Sequence, residues 1–348
     1  MTSARFQLRV RRTLRITLAW LFVGLVTVLF EQSLLERYGL EVGVEGALLD
    51  HAWRYLLAGL AGGGTYIFLL RDRLRAYPFL QAFGMVAALM LFIVGITHAV
   101  MPAINDPDAL PAQRLFSLQF LGVYLYWTLL MGGTMLIVRI NDQYSGGGLA
   151  YLAGRYFKPR SELRIFMFLD MRSSTSIAEK LGHVRYFKLL NDVFADITDP
   201  VVDSRGEIYQ YVGDEMSMSW PLRKGIASHR CIDCFFRIQE KLKRRSAYYK
   251  SEYGISPVFK AGLHYGNVTT GEVGLVKKEL IFSGDVVNTA ARIQNSCNAH
   301  GVDILISREL LDVLRLPKDK FRVREIGEIG LKGKKNAVGL WTLEPIAP

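Results

Sequence analysis

The sequence predicts an α-helical transmembrane bundle of four spans followed by a cytoplasmic α+β domain, with flanking helices packed on a mostly antiparallel sheet. Three observations lead there. Half of the 348 residues are hydrophobic, and in residues 1–140 they fall into long runs without a charge. Lysine is absent from that part, the first being Lys158. After Leu163 the apolar pattern changes to short stretches that switch between the twofold period of strands and the 3.6-residue period of helices. The chain carries 43 Lys+Arg against 32 Asp+Glu, a net +11. Apolar content this high excludes a disordered chain, and its uneven spread excludes a single soluble domain.

The uncharged runs are residues 16–30, 55–70, 76–105 and 115–138. A helix needs about 20 mostly apolar residues to cross a bilayer. The last two runs meet this. The first two are extended by Arg15, Arg54 and Arg71, whose stems lie along hydrocarbon while their heads reach the headgroups. Arg5, Arg9, Arg11, Arg12 and Arg15 precede the first run, and Arg71, Arg73 and Arg75 lie between the second and third. The other connections carry Glu31, Glu36, Glu41, Glu45 and Asp50, then Asp106 and Asp108. The positive-inside rule therefore puts the N-terminus, the middle loop and everything after Arg139 in the cytoplasm, as in a multi-pass protein of the inner or plasma membrane. Arginines so placed report topology, and no nucleic-acid partner is expected. The first run continues into Glu31-Gln32-Ser33-Leu34-Leu35-Glu36 rather than a small-residue cleavage site, so a retained span is expected instead of a signal peptide. Residues 1–140 form the membrane domain and 162–348 the soluble domain. Between them residues 141–161 are a linker containing Ser145-Gly146-Gly147-Gly148, a flexible breaker.

Residues 163–169 read as a buried central strand that ends at Asp170. Helix is expected over 174–181 and 183–202. Strands at 207–212 and 216–220 form a hairpin across Gly213-Asp214-Glu215. One long amphipathic helix is expected over 226–249, with a solvated basic end at Lys241-Leu242-Lys243-Arg244-Arg245. Strands at 258–265 and 268–273 flank Gly266, and a short strand at 280–283 precedes a helix at 285–299. Strands at 303–306, 321–329 and 337–343 complete the domain. Interleaved helices and hairpins of this kind give helices on a mostly antiparallel sheet.

The strongest chemical signal is a pair of acids at strand ends, Asp170 and Asp214. Two carboxylates brought together with no Lys or Arg beside either in sequence invite a divalent cation, because bare like charges are costly. Ser173, Ser174 and Thr175 open the next helix, and the amides of a helix N-terminus attract phosphate. Metal plus phosphate is the outline of a nucleoside triphosphate site. Asn288 and Arg292 are four apart on one helix face, expected to face inward, with small residues between them. Cys231-Ile232-Asp233-Cys234 lies within a helix and lacks the four ligands of a zinc site, so buried thiols are expected. His51 and His98 fall near the outer ends of the second and third spans, where they could bind haem or a metal or titrate near neutrality. With the outer acids, they leave room for an unknown ligand or cation on that side.

Taken together, the soluble half resembles the catalytic domain of the class III nucleotidyl cyclases, the adenylate and guanylate cyclases. The matching pieces are Phe166-Met167-Phe168-Leu169-Asp170-Met171-Arg172-Ser173-Ser174-Thr175, Tyr211-Val212-Gly213-Asp214-Glu215, Ala261-Gly262-Leu263-His264-Tyr265-Gly266 and Val287-Asn288-Thr289-Ala290-Ala291-Arg292. The resemblance implies a ferredoxin-like palm that dimerises head to tail and converts a nucleoside triphosphate to its 3′,5′-cyclic monophosphate and pyrophosphate, with ATP and cyclic AMP the expected pair. It implies two Mg²⁺ or Mn²⁺ ions on Asp170, Asp214 and the carbonyl of Met171. It also gives Arg292 the charge developing at the α-phosphate, Asn288 the ribose, and Lys332 or Lys334 the triphosphate. One protomer would supply the aspartates and its partner the Asn and Arg. Where adenylyl cyclases usually place a base-reading lysine and its aspartate or threonine partner, this sequence has Gln210 and Ile281. Gln210 offers both a donor and an acceptor, so GTP stays open as substrate, as does a degenerate domain that binds nucleotide without turnover. The hairpin is also similar to that of diguanylate cyclases, which do not need an Asn and an Arg at this spacing.

Overall fold

The computed structural model describes residues 3–40, 43–105, 117–143, 158–274, 279–317, 319–330 and 337–346. Two compact units divide the chain, Phe6–Gly146 and Gly147–Pro348.

In the first unit α1 spans Ser3–Arg37, α3 spans Phe79–Asn105 and α4 spans Leu118–Gln143. These three are long and apolar enough to cross a membrane. The second expected span differs. It begins as an α-helix, α2, over Val44–Ala58, widens to π-helix at Gly59–Gly63 and again at Tyr66–Leu70, and ends as α-helix at Arg71–Leu74. No α-helical stretch within it is long enough to cross alone. The first widening falls where the sequence supplies Gly59, Gly62, Gly63 and Gly64, which place no side chain against α1. A Cβ on Gly59 would lie 2.8 Å from the Cα of Thr17. Leu18, Phe22 and Leu29 of α1, Phe92 of α3 and Leu129 of α4 project outward and are exposed.

Ion pairs fix which helix ends lie together. Asp142, near the end of α4, accepts from Arg12 of α1 at 2.9 Å and from Arg71 at 2.6 Å. Arg139 donates to the carbonyls of Leu74 and Tyr77 at 2.9 and 2.8 Å. At the other end of α1, Glu31 meets Nε2 of His51 at 3.1 Å, and Nδ1 of His51 lies 3.0 Å from the Ala47 carbonyl. Both ring nitrogens are thereby engaged, leaving neither for a metal. The side chain of His98 lies outside the described residues, as do Glu41, Asp106 and Asp108.

The second unit opens with β1 (Arg160–Met171), longer at both ends than the apolar run suggests. α5 (Ser174–Asp203) bends at Gly182, where φ is 72°. β2 (Glu207–Val212) and β3 (Glu215–Pro221) form the expected hairpin. The long helix expected over 226–249 is instead broken into α6 (Leu222–Ile226), α7 (Arg230–Arg244) and α8 (Ser246–Tyr253), with Ser228 and His229 at positive φ before α7. Its basic end is paired, Lys241 to Asp199 at 3.5 Å and Arg245 to Asp196 at 3.0 Å. The two strands expected around Gly266 are one, β4 (Phe259–Val273). Then come β5 (Glu279–Ser283), α9 (Asp285–Ser296), β6 (Ile304–Ser307), α10 (Arg308–Leu314), β7 (Phe321–Ile329) and β8 (Val338–Pro345). The sequence reading missed α10. Its signal was Ser307, whose hydroxyl caps the helix by accepting from the amide of Leu310 at 3.3 Å, a type of contact worth about 1 kcal/mol.

The sheet runs β2-β3-β1-β4-β6-β8-β7, with β5 paired to β4. All pairs are antiparallel except β4 with β6, which α9 connects as a crossover. β1 is central and covered on both faces. Ile165, Met167 and Leu169 join the core under α5, α7 and α8, while Phe166 and Phe168 pack with Phe282, Val286 and Ala290 beneath α9. Cys231 and Cys234 are fully buried in the first of these cores, and burial raises both thiol pKa values.

Candidate active site

Alternation along β1 puts Asp170 on the same face as Phe166 and Phe168, the face that α9 covers. Met171, one residue on, turns to the other core and is buried. Asp170 pairs in register with Glu215, so the β2–β3 turn sets Asp214 beside it. That turn uses Gly213 at φ 61°, a left-handed conformation that glycine adopts without strain. Asp214 lies close enough to Asp170 and Ser174 for both to act on its titration. Burial lifts the pKa of Asp214; Ser174 opposes the shift, and Asp170 adds to it. Glu215 is pushed up to about 6, first by burial and then by the charges of Asp170 and Asp214. Tyr186 of α5 also faces the pair; burial and then Asp214 raise its pKa, and Ser174 opposes the shift. Ser173 is left-handed, with φ 56°, and α5 starts at Ser174, so the helix N-terminus lies against the acids.

The sheet brings a cation that sequence adjacency does not. Lys260 stands opposite Asp170 on β4, is buried, and holds its ammonium 3.0 Å from Oδ2 of Asp170. The expectation of an acid pair without a basic neighbour is corrected for Asp170. Among the described residues no group of three or more His, Cys, Asp or Glu is arranged to hold a metal. The donors at hand are oxygens: the two aspartates, of which Asp170 helps to raise the pKa of Asp214, and the backbone at Met171. Such a hard, anionic set suits Mg²⁺ or Mn²⁺ rather than a softer metal.

α9 buries Val286, Thr289, Ala290, Ile293 and Gln294, one stripe at helical spacing laid on β4. A Cβ on Gly262 would fall 2.6 Å from the carbonyl oxygen of Ala290, so only glycine permits this approach. Asn288 is exposed and Arg292 half-buried. At 100° per residue both point away from the stripe, opposite to the inward orientation expected of them. The small residues between them serve contact with β4.

A family model described as the adenylate and guanylate cyclase catalytic domain matches residues 158–344. The chain belongs to the adenylate and guanylate cyclase family. It is a nucleotidyl cyclase. Adenylate cyclase 2 of Rhizobium meliloti (strain 1021) is 31% identical over 297 residues, covering 84% of this cyclase and 77% of that protein. This alignment is longer than the family match and so reaches into the N-terminal unit. An adenylate cyclase of Anabaena cylindrica is 26% identical over 187 residues, 51% of this chain and 36% of its own. The fold is similar to that of a bacterial light-regulated adenylyl cyclase, with TM-score 0.54, 19% identity and 65% of each chain covered.

In this cyclase Gln210 is exposed on β2, just beyond a bulge, and Ile281 is half-buried on β5. Their neighbours Tyr209 and Phe282 meet edge to face at 4.9 Å, which draws the two strands together. Lys332 and Lys334 lie outside the described residues. Three residues at the acid pair escaped the sequence reading: Tyr186, Lys260 and Gln294. Signals existed for two. Lys260 breaks an otherwise apolar strand, and Gln294 is the polar member of the buried stripe on α9 beside Thr289.

Proposed function

We propose that this cyclase is a membrane-anchored adenylate cyclase, active as a homodimer, which makes 3′,5′-cyclic AMP and pyrophosphate from ATP with two Mg²⁺ or Mn²⁺ ions. The observation that carries this reading is the opposed orientation of the two residue sets. Asp170 and Asp214 converge at one end of the sheet, while Asn288 and Arg292 face outward on the helix behind it. A complete site then needs Asn288 and Arg292 from a second copy. Exposed apolar side chains favour such a partner: Val184 and Phe187 on α5 are 85% and 67% exposed, with Tyr211 and Val212 exposed on β2.

Asp170, Asp214 and the Met171 carbonyl would hold the ions, which would supply positive charge to the 3′-oxygen and the triphosphate. The 3′-hydroxyl gives its proton to solvent water, its oxygen bonds to the α-phosphorus, and the bond from that phosphorus to the bridging oxygen of the β-phosphate breaks, so pyrophosphate leaves with that electron pair. The partner's outward-facing Asn288 orients the ribose, and its Arg292 donates hydrogen bonds to the α-phosphate oxygens as charge grows there. Removing one such donor costs about 100- to 1000-fold in rate. The amides from Ser173 to Thr175 and the side chain of Lys332 or Lys334 take the phosphates, and Gln210 and Ile281 frame the base.

The anchor is a bundle of four spans with its N-terminus and catalytic domain on the cytoplasmic side. Support comes from the ion pairs: Arg12, Arg71 and Asp142 mark one end of the unit, and Glu31 with His51 the other, so the stretch from α2 to Arg71 runs between the two ends although its winding is irregular. The outer face remains the place for an unknown ligand.

The test offers ATP and GTP in parallel to the full chain in detergent with Mn²⁺ and identifies products by mass. Cyclic AMP from the wild type, and none from Asp170→Ala or Arg292→Ala, is expected. Product from GTP alone would make it a guanylate cyclase, and nucleotide binding without product would make it a regulatory domain.

A further inference from the structure

Gln294 is 1% exposed, in a helical stripe that is otherwise apolar apart from Thr289. A buried amide without a partner costs stability, and here the partner is specific. Nε2 of Gln294 donates to Oδ2 of Asp170 at 3.0 Å, the same oxygen that the ammonium of Lys260 meets at 3.0 Å. A carboxylate gripped twice through Oδ2 has its plane fixed and turns only Oδ1 toward a cation. The amide's own place is set by β4, because Gly262 lets the Gln294 backbone sit against the strand.

We propose that Gln294 is a positioning residue for metal binding: it orients Asp170 so that a single oxygen faces the ion. The inference rests on the reading of Asp170 as a metal ligand. It has a second consequence in the head-to-tail dimer. Gln294 lies two residues beyond Arg292 on the opposite face of α9, so one amide links the metal carboxylate of one active site to the helix that serves the other.

The first measurement is Mn²⁺ binding alone, followed by the electron paramagnetic resonance signal of free Mn²⁺, to the full chain in detergent. Gln294→Met keeps length without a donor, and Gln294→Asn keeps the amide but falls short of Asp170. Loss of a hydrogen bond behind a ligand costs about 10- to 100-fold in metal affinity, and a loss of that size is expected in both variants. Should Gln294→Met fail to fold, Gln294→Asn decides. Affinity within twofold of wild type in the folded variants overturns the inference alone, whereas a wild-type chain that binds no Mn²⁺ overturns the metal reading with it.

The second measurement separates positioning from packing. Co-expressed Asp170→Ala and Arg292→Ala chains leave each mixed dimer one intact site, which uses Asp170 of the Arg292→Ala chain. Gln294→Met added to that chain should raise the Mn²⁺ concentration for half-maximal turnover about tenfold; added to the Asp170→Ala chain, it should leave that concentration unchanged. An equal or larger effect from the Asp170→Ala chain, whose α9 serves the intact site, would mean that Gln294 acts by packing α9, against the proposal. If the mixed chains make no product, the shared-site reading fails while the Mn²⁺ titration still decides the role of Gln294.

Discussion

Replacing Gly262 by alanine tests how closely α9 rides on β4 and what that closeness does. The added Cβ would lie 2.5 Å from the Cα of Gln294 and 2.6 Å from the carbonyl oxygen of Ala290. Both obstacles are backbone, so no side-chain rotation relieves the clash. Carbon contacts relax near 3.5 Å, so the helix has to retreat by about 1 Å. Overpacking of this kind costs about 1–3 kcal/mol, which leaves a folded chain with a lower Tm. A misplacement of about 1 Å in groups that position a substrate costs roughly 100-fold in rate, and Asn288 and Arg292 travel with the helix. The expected result is a Tm lowered by a few degrees and turnover of Mn²⁺-ATP reduced about 100-fold, measured on the full chain in detergent with product identified by mass. Wild-type turnover at wild-type Tm would refute the close approach. A lowered Tm with full turnover would refute the link between the seat of α9 and the rate.

Two further outcomes are expected. Glu215, pushed up to about 6 from an ordinary 4.5, opposes the metal-free fold once ionised, so the stability it gives at low pH is lost as pH rises through that window. Glu215→Gln should therefore melt above wild type at neutral pH in chelator, with the gap closing in acid; a variant that melts lower at neutral pH contradicts this. All three cysteines are buried, and burial raises each thiol pKa. A maleimide should leave the native chain unlabelled and label all three after denaturation, and rapid native labelling of Cys231 or Cys234 would revive a redox role for the pair.

The order of strands and helices was legible because each buried face repeats with its own period. The hairpin at Gly213 and the aspartates at strand ends followed from the same pattern. The breaks near Ser228 and Arg245 were hidden, since an amphipathic stripe resumes on the far side of each and a count of apolar spacing passes over the interruption. The second expected span reads as an ordinary helix because hydropathy does not register the loss of regular winding at a run of glycines. Residues gathered at the acid pair were visible only in part. Asp170 and Asp214 stand at sequence punctuation, whereas Lys260 and Gln294 reach Asp170 by strand register and helix docking, which no local pattern encodes. The orientation of Asn288 and Arg292 was inverted for a related reason. Small residues signal a close approach without saying to what, and here it is to the chain's own sheet.

Asp142 sits one residue before the end of α4 and is gripped by the guanidinium groups of Arg12 in α1 and of Arg71, which opens the short helix Arg71–Leu74. The last helix of the first unit consequently lacks an independent degree of freedom at that end. It cannot turn about its axis or slide along it without breaking two charged contacts at once. Three helix ends thus share one carboxylate, and a displacement of α4 at that end strains its contacts to both neighbours together.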